Sequence, residues 1–92
     1  MRLIEYKNSF DRTYRKLDEK DKVAVALAVE SLLNGLEAGK MPSGLGLKRL
    51  KGDLWEIRVD IRMRIAFWMS GHGVEFGLVG THEGIRNYLK NL

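Results

Sequence analysis

Ninety-two residues sit below the usual span of about 100–200 for one domain, which excludes a two-domain enzyme with a separate cofactor module and leaves one domain over residues 1–92. The chain has no Cys, so disulfides, thiolate nucleophiles and cysteine zinc sites are excluded, and two His leave little for a metal. Sixteen Lys/Arg against twelve Asp/Glu give +4, a mild excess compatible with phosphate binding, and residues 47–64 concentrate it in Lys48, Arg49, Lys51, Arg58, Arg62 and Arg64.

Residues 2–6 read as a short strand, after which Asn8 or Ser9 can cap a helix over residues 10–17. In it Phe10, Tyr14 and Leu17 recur at i, i+4, i+7, and Asp11, Arg12, Arg15 and Lys16 lie off that stripe. Asp18 or Asp21 can cap a second helix, with Val23, Ala26, Leu27, Val29, Leu33 and Leu36 as its buried face and Gly35 or Gly39 as its end. The apolar run at residues 23–29 is too short to cross a bilayer. The N-terminal residues lack the apolar stretch of a signal peptide, so a cytoplasmic protein is the expectation.

Residues 40–46 hold a Pro and two Gly and read as a loop. From Trp55 to Phe67 the period changes to two: Trp55, Ile57, Val59, Ile61, Met63, Ile65 and Phe67 are apolar, and Glu56, Arg58, Asp60, Arg62 and Arg64 fall between them. Thirteen residues are long for one strand, so a hairpin bend is expected near residues 60–63. A loop of three or five residues would keep Arg58 and Arg64 on one face, whereas a two-residue turn would separate them; the odd loop is the expectation. Gly71, His72 and Gly73 make the next turn, residues 74–80 another strand, and Thr81 or His82 leads into a terminal helix. The fold class is α+β in the order β-α-α-β-β-β-α: a strand, a helical hairpin, and a small, mainly antiparallel, twisted sheet with a short C-terminal helix.

Chemistry is expected on the charged face of the hairpin, where Glu56, Arg58 and Arg64 would stand beside Lys48 and Lys51 in a phosphate-sized basic concavity. Arg makes bidentate contacts to phosphate oxygens and offsets the charge of a phosphorane. Glu56 among these cations would be a carboxylate of lowered pKa able to accept a proton; the plainer alternative is a solvated sheet face with Glu56 paired to an Arg across strands. His82, between strand and helix, can exchange protons or simply cap the helix. Tyr88 can stack on a base, donate a proton or pack against the sheet. His72, between two glycines, reads as part of a turn.

The runs Leu50-Lys51-Gly52-Asp53-Leu54-Trp55-Glu56-Ile57-Arg58, Arg64-Ile65-Ala66-Phe67 and Val79-Gly80-Thr81-His82, with Tyr88 beyond, resemble the RelE/ParE superfamily of type II toxin–antitoxin toxins. The resemblance covers nearly the whole chain in element order. It implies a toxin that inhibits translation as a ribosome-dependent mRNA endonuclease (an mRNA interferase), works without metal or cofactor, and is held inactive by a cognate antitoxin. Its partners would then be the antitoxin, the ribosome and mRNA.

By the same resemblance, Arg64 contacts the scissile phosphate and Arg58 supports it; Lys48, Lys51, Arg62 and Arg86 are expected, as basic residues, to bind further RNA phosphates. His82 falls where the family has Arg or His, and Tyr88 where it has a Tyr near the end; a tighter alignment puts Arg86 there instead. Leu54 and Glu56 stand where nucleases of the family carry lysines, so the base here would be Glu56 or His82, and the acid for the leaving oxygen His82 or Tyr88. Two alternatives stand beside this reading: a ParE-type inhibitor of DNA gyrase, and a non-catalytic module that binds RNA or a partner protein.

Overall fold

The computed structural model describes residues 3–92. The chain folds in the order β1 (Leu3–Tyr6), α1 (Asn8–Arg15), α2 (Glu19–Ala38), β2 (Lys48–Lys51), β3 (Leu54–Arg58), β4 (Arg64–Met69), β5 (Gly73–Gly80) and α3 (His82–Lys90). This is the expected α+β order with one strand added, β2. Its four residues, Lys-Arg-Leu-Lys, carry no apolar alternation and are held by pairing with β3 rather than by a buried face of their own. Arg2, expected in the first strand, lies outside the described residues.

The long helix starts and stops where short-range chemistry dictates. The Asp18 carboxylate accepts from the Asp21 amide at 2.8 Å, and Gly39, in the left-handed region at φ 70°, closes the C-terminus. Its buried residues are Val25, Ala28, Val29, Leu32 and Gly35, while Val23, Ala26 and Leu27, expected inside, are exposed. Residues 23–29 are apolar all the way round, so sequence offers several possible faces, and contact with the sheet selects one.

The sheet order is β1-β5-β4-β3-β2, with β1 parallel to β5 and the other pairs antiparallel. Helices α1 and α2 cover one face, where Phe10, Val25, Val29 and Leu32 pack with Ile57, Ile65, Phe67, Phe76 and Val79. The Thr13 hydroxyl accepts from the Val79 amide at 3.1 Å and the Ser9 hydroxyl donates to the Gly77 carbonyl, tying α1 to β5.

The odd residues of the hairpin face this core as expected, apart from its tip and its edge. Ile61 is 91% exposed because residues 59–63 leave the sheet to turn. Trp55 is half-buried, with the Arg49 guanidinium 5.9 Å from its ring centre.

The opposite face is not the open charged surface that alternation implies. α3 crosses it, and Ile85 buries Leu54 and Ala66 in a second, smaller core flanked by Trp68, Leu78, Tyr88 and Leu89. Among the described residues no helix is long and apolar enough to cross a membrane.

Candidate nucleic-acid interface

The five-residue connection after β3 brings Arg58 directly opposite Arg64, so the two arginines share a face as the odd-loop expectation requires. Asp60 shapes that turn: its Oδ1 accepts from the amides of Arg62 and Met63, both at 2.8 Å. The hydrogen bonds from the Met63 and Arg62 amides hold its pKa below the ordinary carboxylate value.

Beside the arginine row runs a second one, Lys48 opposite Glu56 and Glu56 opposite Ala66. Glu56 is 4% exposed, and its Oε2 accepts from Arg64 Nη1 at 3.0 Å. Arg64 Nε is buried with no acceptor among the described residues. Arg58 is exposed and lies along the loop before β2: a Cβ at Gly46 would sit 3.3 Å from its Cβ and 3.6 Å from its guanidinium carbon. Its amide donates to the Leu45 carbonyl at 2.8 Å.

Gly80 pairs with Arg64, so β5 delivers the chain to Thr81 and His82 at this same end of the sheet. Thr81 is the cap, its hydroxyl accepting from the Gly84 amide at 3.1 Å. His82, free of that duty, is exposed, and Arg86 is exposed one turn further along α3.

Register thus brings Arg58, Arg64 and the Gly80–His82 segment to one end of the sheet, with Lys48 and the buried Glu56 in the adjoining row and Arg86 one turn along α3. Three other expected members lie elsewhere. Arg62 turns to α2, with Nη2 3.1 Å from Asp21 and 3.6 Å from Asp60, because the turn carries it off the strand. Lys51 pairs with Leu54 and Tyr88 packs on Trp68 with ring centres 6.0 Å apart, both at the opposite end of the strands.

The Tyr88 hydroxyl is seated by a glycine, since a Cβ at Gly77 would lie 2.8 Å from it and 2.7 Å from Trp68. Of the uses open to Tyr88, packing is the one observed. Sequence reasoning missed Gly46 as the bed of Arg58, for no spacing rule links a loop glycine to a strand twelve residues on. Lys48 lies beside Glu56 as expected, but the strand that puts it there was missed, because β2 carries no strand pattern.

No family model matches the chain, and no curated protein matches it in sequence. Solved structures do match in shape. YafQ in the Escherichia coli DinJ–YafQ toxin–antitoxin complex superposes with a TM-score of 0.72 at 17% identity, over 91% of this chain and 96% of that one.

This is the fold of the RelE-like toxins. The RelB–RelE antitoxin–toxin complex from Methanococcus jannaschii gives a TM-score of 0.67 at 19% identity, covering 91% and 96% of the two chains. The YoeB dimer from Staphylococcus aureus gives 0.67 at 15% identity, covering 88% and 97%. At these identities the likeness is one of RelE-like architecture, and the chemistry rests on this chain's own residues.

Proposed function

We propose that this RelE-like fold is the toxin of a type II toxin–antitoxin module and inhibits translation by cutting mRNA on the ribosome without a metal. The observation that carries the reading is the opposed pair Arg58 and Arg64 at the sheet end where His82 emerges. Like charges at facing positions of paired strands carry a cost, and one that suits a site meant to receive a phosphate.

In metal-free cleavage the ribose 2′-oxygen loses a proton and attacks the adjacent phosphorus, and the bond to the 5′-oxygen of the next nucleotide breaks as that oxygen is protonated. Arg64 and Arg58 offset the charge that builds on the phosphorane. His82 is the exposed imidazole at this end; it takes the proton from the 2′-oxygen, and a water molecule supplies the one that the departing 5′-oxygen gains. Lys48 and Arg86 extend the positive surface along the RNA backbone, from β2 on one side and α3 on the other.

An antitoxin is the expected protein partner, a reading supported by neighbours in shape that were crystallised as DinJ–YafQ and RelB–RelE complexes.

The test is a reconstituted translation reaction with mRNA ends mapped by primer extension, comparing wild type with Arg64→Lys, Arg58→Ala and His82→Ala and using ribosome-free mRNA as control. Cuts that need the ribosome and fade in all three variants support the reading. Intact mRNA from folded, antitoxin-free wild type overturns it.

A further inference from the structure

We propose that Glu56 is a positioning residue: its buried carboxylate fixes the orientation in which Arg64 meets the phosphate, and it does not itself take a proton from RNA. The inference rests on the nuclease reading and assigns within it a role that the residue type alone would not suggest, since a carboxylate among cations looks first like a base.

Access argues against the base. A general base must come within about 2.6–3.2 Å of the proton it removes, directly or through one water. The Glu56 side chain is 5% exposed, and its Oε2 is occupied by Arg64. The residues around it close the remaining approaches: Lys48 stands opposite on β2, Ala66 opposite on β4, and Ala66 itself is fully buried beneath α3.

Leverage argues for positioning. Arg64 has no acceptor for its buried Nε, so the bond from Nη1 to Glu56 is the polar tether that orients its guanidinium among the described residues. Arg58, a like charge, is the register partner of Arg64, and the carboxylate in the adjoining row is the counter-charge that Arg64 meets. Arg58 has its own bed on Gly46 and does not depend on Glu56, so the carboxylate acts selectively on Arg64.

The experiment compares Glu56→Gln and Glu56→Ala by two readouts. One is cleavage, as kcat and KM across pH 5–9 in the ribosomal assay. The other is the order of the Arg64 Nε–H group by 15N relaxation in the free protein. Gln keeps an oxygen that can accept from Nη1, so Glu56→Gln should stay within about tenfold of wild type with a pH profile of unchanged shape. Glu56→Ala should lose about 100-fold, mostly in kcat, the size expected when a reacting group is misplaced by about 1 Å. Arg64 Nε–H should be ordered in wild type and Glu56→Gln and mobile in Glu56→Ala.

A Glu56→Gln protein as inactive as Glu56→Ala, with the acidic limb of its profile gone, would make Glu56 the base and overturn the proposal. So would an Arg64 side chain equally ordered in all three proteins. If wild type cuts no RNA, the nuclease reading fails, and the relaxation readout still decides whether Glu56 holds Arg64. Should Glu56→Ala not fold, Glu56→Asp, which withdraws the carboxylate by one methylene, takes its place.

Discussion

Arg58 and Arg64 stand directly opposite one another on β3 and β4, yet among the described residues only Arg64 is tied to a carboxylate. The two are therefore unequal in stability. Arg64→Ala would leave Glu56 buried without its counter-charge. A deep pair costs about 3–5 kcal/mol when broken this way; with the Arg64 side chain 22% exposed, a loss of about 2–3 kcal/mol is expected. Arg58→Ala should leave the unfolding free energy, measured by urea titration, within about 0.5 kcal/mol of wild type while slowing cleavage about tenfold. The double variant Arg64→Ala/Glu56→Leu should regain most of the stability lost by Arg64→Ala, because no charge is then left buried.

His82 is exposed at the start of α3, and Thr81 performs the capping. His82→Gln should therefore unfold at the same urea concentration as wild type, yet cut mRNA about 100-fold more slowly. A variant with wild-type rate would remove His82 from the proposed chemistry.

The Thr81 hydroxyl that accepts from the Gly84 amide fixes where α3 begins and hence where His82 and Arg86 are presented. Thr81→Ala should cost about 1 kcal/mol and Thr81→Asp should restore it. Hydrogen exchange is the measurement: the first amides of α3 should exchange faster in Thr81→Ala, with those of β4 and β5 little changed.

Asp60 gives the acid side of the stability curve a defined contribution. Its pKa in the fold lies below the ordinary 3.8, first through the hydrogen bond from the Met63 amide and then through that from Arg62. A carboxylate with a depressed folded pKa stabilises the protein above its unfolded pKa, and that gain is lost as pH falls through the lower, folded value. Asp60→Asn should thus be less stable than wild type by a constant margin from pH 5 to 8, a margin that narrows below about pH 4. Thermal midpoints measured across that range would check it.

Whatever depends on near neighbours and on periodicity was legible along the chain. Asp18 and Gly39 bound α2 through a carboxylate on a free amide and a backbone conformation that glycine accepts. Alternation over the hairpin with an odd loop placed Arg58 and Arg64 on one face, since parity counts residues and needs no knowledge of the rest of the fold. Packing of the folded chain set whatever depends on which surfaces meet. It chose Val25 over Val23 for the core and covered half of a face that alternation marks as open. It sent Arg62 to Asp21 and Tyr88 to Trp68, away from Arg64. It also sealed Glu56 under Arg64, because whether a carboxylate is a base or a tether depends on solvent access, which is set by packing among residues distant in the chain.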